Sequence, residues 1–539
     1  MILRQLNLSF LTKHLGIESF KLFKSTFETV CEDGHFENNP SDKEIASLLF
    51  EQTIPDNFFE SKTNLISFCN ALPEITQKKI NGDLNCQRIE DIKWNKETSD
   101  YFITVLGLNS KFELKEDKEK NELIGTAVTF EKPDFAFKTL KEYQAGVFYP
   151  VYEYISQTPY ARCIIQMPTG SGKTRTAMEI VCATINDKQR DVIWLANTQE
   201  LCDQAFYTFT EIWTFLRKRR SRAINHMRLN SKLEESPLPT FHVSSLQGLK
   251  PESIEEKLRQ NGIDRDNLEL VIVDEAHISI APTYRKTIEY LIQGGAKLIG
   301  LTATPGRQLK SSGNDENKLL SDFYFNKLFE LSTGDELPID YLRSKGILAN
   351  AKFISIEGAK VENILTLNEI SNWKENKVIP KKIETLLTND VNRNAIIFDQ
   401  LVQLLNQGKK IIFFATSIEH SKLITTLLNI KGFRAQHLDG NSGKYRSQII
   451  KSFKNNETQI LSNYGVLSTG FDDPQIDVVF MARPTNSIVL YSQIIGRGLR
   501  GPLIGGTDYC EIYTVFDNIL DLPENNEIYS YFDEYFEQK

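Results

Sequence analysis

Two different spacings of hydrophobic residues divide the chain. In the first 120 residues, stretches such as IESFKLFKSTFETV and SDKEIASLLFEQT place apolar residues three and four positions apart, the spacing of a helix with one buried face. From about residue 137 onward, short apolar runs of strand length alternate with longer stretches of helical spacing. Parallel strands are joined by crossover connections that are usually helices, so this alternation predicts parallel sheets.

The predicted strands form two sets, separated by a polar stretch at 306–318. The first set is ARCIIQ, DVIWLA, TFHVSS, LELVIVDEA and AKLIGLTAT, and the second is KIIFFAT, FRAQHLD, TQILSNYGV and VVFMARP. The charged run KFELKEDKEKNE, at 111–122, is a predicted linker. We therefore predict an α/β protein with a mostly helical N-terminal accessory domain over 1–125, followed by parallel-sheet domains over 135–340 and 345–539.

Composition places few limits on this prediction. The 539 residues are 40% hydrophobic and 25% charged, as in an ordinary globular protein. We expect neither a membrane span nor a signal peptide, because no apolar run reaches roughly 18–20 residues and the N-terminus lacks a compact apolar segment. The seven cysteines are scattered and form no CxxC pair, which argues against a structural zinc site. The same pattern fits the reducing environment of the cytoplasm. A net charge of −8 still permits a nucleic-acid partner.

A glycine-rich turn, MPTGSGKT at 167–174, lies between a predicted strand and a predicted helix. Backbone N–H groups at a helix start bind phosphate, and glycines let the backbone come close. We expect Lys173 to reach the β- and γ-phosphates of a nucleotide and Thr174 to bind Mg²⁺. The strict GxxxxGK[ST] pattern needs a glycine where this chain has Met167, so the motif alone also permits an ordinary turn. The other expected phosphate contacts are Thr169, Gly170, Ser171 and Gly172.

Two carboxylates end the predicted strand in VIVDEAH, at 271–277. Phosphoryl transfer needs a carboxylate near Mg²⁺ and a group that orients or deprotonates the attacking water. Asp274 suits the first role, and Glu275 suits the second. An exposed strand end without a catalytic role could carry the same letters. The glycine-rich turn about 100 residues upstream favours the catalytic interpretation.

The segment QIIGRGLR, at 493–500, places Arg497 and Arg500 three positions apart, which predicts that both lie on one face of a helix. Guanidinium groups can stabilise charge on a phosphoryl group during its transfer. These arginines belong to the second sheet domain, about 320 residues after the turn. If they act on the nucleotide, the site lies between two domains, and hydrolysis is linked to domain closure.

Together these motifs resemble those of superfamily 2 helicases of the DEAH-containing kind. They are similar in particular to the motor subunits of type I and type III restriction enzymes and their repair relatives. The resemblance covers about 400 C-terminal residues, and members of the superfamily often lack the glycine that Met167 replaces. It implies two tandem RecA-like motor domains that hydrolyse ATP with Mg²⁺ and carry a nucleic-acid strand across both domains.

The resemblance also implies roles for further residues. WLANTQELCDQ, FFATSIEHS and YLRSKGILA resemble other segments of the family, although Gln199 replaces a common arginine. VSSLQ, with Gln247, resembles a motif that contacts the strand. Implied nucleotide contacts outside the glycine-rich turn are Gln144, Gly470, Asp472 and Gln493. Residues implied to couple hydrolysis to strand movement are His277, Thr302 and Thr304.

A basic cluster, RKRRSR at 217–222, follows the aromatic run FYTFTEIWTFL. Basic residues contact phosphates and aromatic rings stack on bases, but a solvated helix end after buried aromatics would look the same. The expected strand contacts are Arg217, Lys218, Arg219 and Arg220. PDNFFESK, at 55–62, is too compressed for a carboxylate–lysine nuclease pattern. Any cleavage would therefore come from a separate nuclease or effector, bound through the N-terminal domain.

The sequence thus predicts an ATP-dependent helicase or translocase that acts in genome defence or repair. The resemblance to restriction enzymes favours DNA over RNA. Two alternatives stay open. One is an RNA helicase, and the other is a nucleic-acid sensor whose ATP cycle switches a partner without displacing a strand.

Overall fold

The structure is a computed structural model. It describes residues 2–36, 40–54, 58–108, 112, 139–216, 221–227, 237–303, 316–362, 364–376, 379–440, 442, 446–467, 471, 473–485 and 488–520. The predicted linker, apart from Phe112, and most of the polar stretch at 306–318 lie outside these ranges. The same is true of several predicted site residues: Arg217, Lys218, Arg219, Arg220, Thr304, Gly470 and Asp472.

Helices make up most of the N-terminal part, as predicted. The third of them begins with a reciprocal capping box between Ser41 and Glu44, which satisfies backbone N–H groups at the helix start. None of the helices in the described ranges combines the length and the apolar character that a bilayer crossing requires. The N-terminal helices are α1 (Leu8–Leu15), α2 (Ile17–Glu32), α3 (Asp42–Thr53), α4 (Lys62–Asn70), α5 (Glu74–Asp83) and α6 (Lys96–Thr104).

A seven-stranded sheet follows, with the order β3-β4-β2-β5-β6-β1-β7 and parallel pairing throughout. Its strands are β1 (Arg162–Gln166), β2 (Asp191–Ala196), β3 (Arg222–Asn225), β4 (Thr240–Ser245), β5 (Leu268–Asp274), β6 (Lys297–Thr302) and β7 (Leu328–Phe329). The helices of this part are α7 (Glu142–Gln157), α8 (Lys173–Lys188), α9 (Gln199–Leu216), α10 (Ile254–Gln260), α11 (Pro282–Ile292) and α12 (Glu316–Phe323).

A second parallel sheet has six strands in the order β10-β11-β9-β12-β13-β8. Its strands are β8 (Asn350–Val361), β9 (Ile411–Phe414), β10 (Ala435–Leu438), β11 (Ile460–Asn463), β12 (Val478–Met481) and β13 (Tyr509–Ile519). The helices are α13 (Pro338–Ser344), before β8, and then α14 (Leu367–Asn376), α15 (Lys381–Asn389), α16 (Val391–Asn406), α17 (Ile418–Lys431), α18 (Arg446–Lys454) and α19 (Ile488–Ile495).

The predicted fold class is confirmed: two parallel-sheet domains follow a helical region. Four strands were not predicted: β3, β7, β8 and β13. Strand β7 has only two residues, and β8 forms the edge of its sheet with many exposed side chains, so neither has the apolar run of a buried strand. Strand β3 begins at Arg222, within the basic cluster, where charge conceals the pattern.

The N-terminal helices share a hydrophobic core with the second sheet domain. Helix α2 packs against α16, and α3 packs against α17. Just after α2, the ring of Phe36 stacks on Phe398 with 6.2 Å between centroids, and Nε2 of His35 lies 3.4 Å from Oδ1 of Asp399. The ammonium group of Lys431 lies over the Phe36 ring at 5.2 Å. These contacts attach the N-terminal region to the second sheet domain.

Candidate nucleotide site between the two sheet domains

The glycine-rich turn connects β1 to α8. Gly170 and Gly172 have φ values of +91° and +85°, in the left-handed region that glycine adopts without strain. Gly172 occupies the N-cap position of α8, so the helix begins at Lys173. The first N–H groups of a helix have no partner within it, and they attract phosphate. The turn therefore has the backbone geometry that a nucleotide phosphate requires.

Neighbouring elements hold this turn in place. The N–H of Met167 donates to the carbonyl oxygen of Thr302, at the end of β6, over 3.1 Å. The hydroxyl of Tyr143, in α7, donates to the carbonyl oxygen of Ser171 over 2.8 Å. The sequence did not single out Tyr143, although it lies beside Gln144 in the segment KEYQ. Both contacts fix backbone atoms, and therefore they leave the turn's conformation well defined.

Gln144 makes hydrogen bonds with both ends of its buried amide group. Its Nε2 donates to the carbonyl oxygen of Ser171 over 3.2 Å, and its Oε1 accepts from the N–H of Lys141 over 2.9 Å. A Cβ atom on Gly172 would lie 2.4 Å from Gln144 Nε2, so this glycine also makes room for the glutamine. A carboxamide has two N–H donors and two acceptor lone pairs, so these two bonds do not by themselves prevent recognition of adenine by Gln144.

The two predicted carboxylates lie at the end of β5, facing the turn. Glu275 has φ +61°, a left-handed conformation that is strained for a residue with a side chain and is frequent at functional sites. Its Oε1 lies 3.7 Å from Nζ of Lys173, and its Oε2 lies 3.4 Å from Nδ1 of His277. The N–H of Glu275 donates to Oδ1 of Asp274 over 3.1 Å. Lys173, Asp274, Glu275 and His277 thus form one cluster.

The two carboxyl groups have opposite pKa shifts. Burial raises the pKa of Asp274 to about 6, and the charge of Glu275 adds to this effect. Burial also acts to raise the pKa of Glu275, but neighbouring groups outweigh it and hold that pKa below its ordinary value. The basic groups responsible are Lys173, His277 and Arg497. Glu275 is therefore ionised at neutral pH, as a group that accepts a proton from water must be.

The second sheet domain contributes Gln493 and Arg497 to this cluster. The side chain of Gln493 hydrogen-bonds with Glu275, and Arg497 lowers the pKa of both carboxyl groups by its charge. Nε of Arg497 donates to the carbonyl oxygen of Gln493 over 3.0 Å, and Nη1 donates to that of Phe471. Both domains therefore meet at the carboxylates.

The prediction that Arg497 and Arg500 share a helical face is wrong. Helix α19 ends at Ile495, so both arginines lie in the turns that follow it. The chain passes close to the sheet here: a Cβ atom on Gly498 would lie 2.2 Å from Sγ of Cys510, in β13.

Arg500 reaches the glycine-rich turn directly. A Cβ atom on Gly170 would lie 2.2 Å from Nη1 of Arg500 and 2.9 Å from Cδ2 of Leu348. The Arg500 side chain is buried, and its Nη1 also donates to the carbonyl oxygen of Gly496 over 3.1 Å. Glycine is thus required at position 170 for two reasons: its backbone conformation, and the space that the side chains of Arg500 and Leu348 occupy.

The oxygen donors of the cluster fit Mg²⁺. In the described part of the chain, no group of three or more His, Cys, Asp or Glu side chains could hold a metal ion on its own. Mg²⁺ commonly binds through one or two protein oxygens together with phosphates and water. Asp274 and the hydroxyl of Thr174, in the first turn of α8, supply oxygens of this kind beside the glycine-rich turn.

Gln247 lies away from this cluster. It is exposed in a short turn after β4, at the carboxyl edge of the first sheet. Arg222, the last residue of the basic cluster, is half-buried at the start of β3. Of the residues predicted to couple hydrolysis to movement, His277 contacts Glu275, and Thr302 is buried beside the glycine-rich turn through its bond to Met167.

Two family models match the chain. Residues 137–307 match the res subunit of type III restriction enzymes, and residues 395–501 match the conserved C-terminal helicase domain. Saccharomyces cerevisiae IRC3, whose name describes an ATP-dependent helicase, is 25% identical over 360 residues, which are 65% of this chain and 47% of IRC3. The Escherichia coli type I restriction enzyme EcoAI endonuclease subunit is 24% identical over 377 residues, 63% of this chain and 41% of that subunit.

Among solved structures, Mss116p bound to single-stranded RNA and AMP-PNP has a TM-score of 0.50 at 16% identity, over 74% of this chain and 73% of Mss116p. At this identity the likeness concerns the fold alone. The fold, the site and the two family matches make this chain similar to superfamily 2 helicases, a class of ATP hydrolases built on two RecA-like domains. Within that superfamily, the chain is similar to the motor subunits of restriction enzymes. It spans less than half the length of IRC3 and of the EcoAI subunit.

Proposed function

We propose that this chain is an ATP-driven DNA helicase or translocase of the DEAH type that acts in genome defence or repair. The observation that carries the proposal is the meeting of both sheet domains at one cluster. Arg500 lies against Gly170 of the glycine-rich turn, and Gln493 and Arg497 lie beside the carboxylates. A site shared in this way makes hydrolysis depend on the positions of two domains, as a motor requires.

The proposed reaction assigns one role to each group. Glu275 accepts a proton from the water that attacks the γ-phosphorus, and the bond from phosphorus to the ADP oxygen breaks. Lys173 holds the β- and γ-phosphates, while Arg497 and Arg500 stabilise charge on the transferring group. Mg²⁺, held by Thr174 and Asp274, would neutralise charge on the phosphate oxygens.

Coupling to the strand is assigned to residues that connect the carboxylates to the rest of the first sheet. His277 contacts Glu275 directly, and Thr302 contacts the glycine-rich turn through its carbonyl oxygen. A change at the carboxylates or at the glycine-rich turn can therefore reach His277 or Thr302 through direct contacts. Thr304, Gly470 and Asp472 keep the coupling and nucleotide roles that the family resemblance implies.

DNA is the proposed substrate because residues 137–307 match the res subunit of type III restriction enzymes and the chain is similar to the EcoAI type I subunit over 377 residues. RNA is the alternative, since Mss116p, which shares the fold, was solved with single-stranded RNA bound. A strand-displacement experiment distinguishes the two. We expect ATP-dependent separation of a tailed DNA duplex and at least about tenfold less separation of the matched RNA duplex.

The same experiment also tests the sensor alternative. The Glu275→Gln variant is the control, because it should separate neither duplex. Hydrolysis stimulated by DNA without displacement of any strand would favour translocation alone or a sensor. Stimulation of ATP hydrolysis by RNA and not by DNA would contradict the proposal that DNA is the substrate. In a sensor, the N-terminal helices would carry the signal to a partner such as a nuclease, because they are packed against the second sheet domain.

If the basic cluster contacts the strand, replacing two of its arginines should weaken the dependence of DNA affinity on salt concentration. Binding through Arg217, Lys218, Arg219 and Arg220 would release counterions, so affinity would fall steeply with salt. The Arg219→Ala/Arg220→Ala variant should reduce the log–log slope by about one to two units. Titration of labelled DNA at several salt concentrations measures the slope.

The matched control for this titration is Lys78→Ala/Lys79→Ala, which removes the same charge from exposed positions in α5. It should leave the slope unchanged, and ATPase activity without DNA should be normal in both variants. If the arginine variant keeps the wild-type slope, the basic cluster is a solvated helix end and does not contact the strand.

A further inference from the structure

A connector between the two sheets packs against the glycine-rich turn of the nucleotide site. It consists of α13 and the residues that follow it up to Ala349. Leu342, Ile347 and Leu348 are buried in the same hydrophobic core as Met167, at the start of the glycine-rich turn. A segment that only joined two domains would be expected at the surface, so the burial of this one indicates a structural task.

The connector is bound to the turn that carries Arg500. The N–H of Gly501 donates to the carbonyl oxygen of Ile347 over 2.9 Å, and the N–H of Leu503 donates to that of Gly346 over 3.0 Å. The backbones are in close contact, since a Cβ atom on Gly501 would lie 2.4 Å from the carbonyl oxygen of Gly346. The position of the connector therefore determines the position of the residue before Gly501, which is Arg500.

The same connector also contacts the glycine-rich turn. The point on Gly170 where a Cβ atom would stand lies 2.9 Å from Cδ2 of Leu348 and 2.2 Å from Nη1 of Arg500. Leu348 and Arg500 are thus held against one face of Gly170. Tyr143, which bonds to the turn at Ser171, is close enough to Arg500 for the arginine to lower the pKa that burial raises.

We propose that the connector positions Arg500 for catalysis, with Leu348 as the positioning residue that sets the distance between its guanidinium group and the phosphates. The inference rests on the proposed function, in which Arg500 stabilises the transferring phosphoryl group. Leu348 touches no reacting atom and acts only through Arg500. Misplacement by about 1 Å can slow a reaction about a hundredfold, so a packing contact at this point has catalytic consequences.

A double-mutant cycle on the full chain tests this role. Leu348→Ala should lower kcat for ATP hydrolysis at least about tenfold and leave KM for ATP within about twofold. Leu348→Met, which keeps a long apolar side chain, should restore most of the rate. In an Arg500→Ala background, Leu348→Ala should slow the reaction by no more than about twofold, because the group that it positions is gone. In an Arg497→Ala background, it should retain its full effect.

Equal losses from Leu348→Ala in wild type and in Arg500→Ala would overturn the inference, because Leu348 would then support the core in general. If Leu348→Ala does not fold, judged by its melting temperature, Leu348→Val enters the same cycle with the same criterion. Normal turnover by Arg500→Ala would remove the proposed role of Arg500 and the inference with it. If Arg500→Ala hydrolyses ATP slowly but the effects of Arg500→Ala and Leu348→Ala on the rate are additive, the role of Arg500 stands and only the inference about Leu348 is contradicted.

Discussion

Replacing Glu275 by glutamine should abolish ATP turnover and leave ATP binding intact. Glutamine keeps the size of the side chain and its hydrogen-bonding ability but cannot accept the proton of the attacking water, a loss of about a hundredfold to ten-thousandfold. Binding should survive because Lys173 and the glycine-rich turn are unchanged. Asp274 should also remain ionised: burial is the main cause of its raised pKa, and the charge of Glu275 adds to it, so glutamine lowers that pKa.

Lys173→Ala is the matched comparison, because it removes the other member of the 3.7 Å contact with Glu275. This variant should lose both binding and turnover, since Lys173 holds the phosphates themselves. Equilibrium binding of labelled ATP and single-turnover hydrolysis measure the two properties separately. Turnover by Glu275→Gln at a rate near that of the wild type would contradict the assignment of Glu275.

The second large effect concerns the arginines of the second sheet domain. Arg497→Ala and Arg500→Ala should each lower kcat by about a thousandfold or more, with smaller losses in ATP affinity. The reason is that the distribution of charge on the phosphoryl group differs between the transition state and bound ATP, and a guanidinium group placed to match the transition state favours that state over bound ATP. Steady-state kinetics and ATP binding, measured on the same preparations, give both quantities.

Arg434→Ala provides a control of the same chemistry. Arg434 is exposed and lies just before β10, at the amino edge of the second sheet and thus at the end opposite to the strand ends that carry ligands in this fold. Its replacement should leave turnover unchanged. If both Arg497→Ala and Arg500→Ala hydrolyse ATP as fast as Arg434→Ala does, hydrolysis does not require the second sheet domain.

The sequence predicted local features of the site better than contacts between distant segments. A strand, a glycine-rich turn and a helix follow one another from Arg162 to Lys188, so their geometry depends on neighbouring residues and could be predicted. The geometry after α19 could not be predicted in this way. The chain turns there because Gly498 packs against Cys510, which belongs to a strand that was itself not predicted. Spacing alone therefore placed Arg497 and Arg500 on a helix that ends before them.

Tyr143 and Leu348 were missed for a related reason. The hydroxyl of Tyr143 donates to the carbonyl oxygen of Ser171, and a methyl group of Leu348 lies against Gly170. A tyrosine or leucine in an apolar stretch has no chemical signature, and only the fold reveals which backbone atom lies beside it. The segment YLRSKGILA was recognisable as a family feature, but nothing in its letters indicates that it reaches the nucleotide site.

The shared core of the N-terminal helices and the second sheet domain has a consequence for any shortened form of this protein. A fragment that begins at α7 would keep both sheets and the complete nucleotide cluster. It would nevertheless expose the apolar faces of α16 and α17, including Phe398, which α2, α3 and Phe36 cover in the full chain. Large exposed apolar patches promote self-association. The N-terminal region is therefore an integral part of the folded protein, and a minimal fragment for functional work should include it.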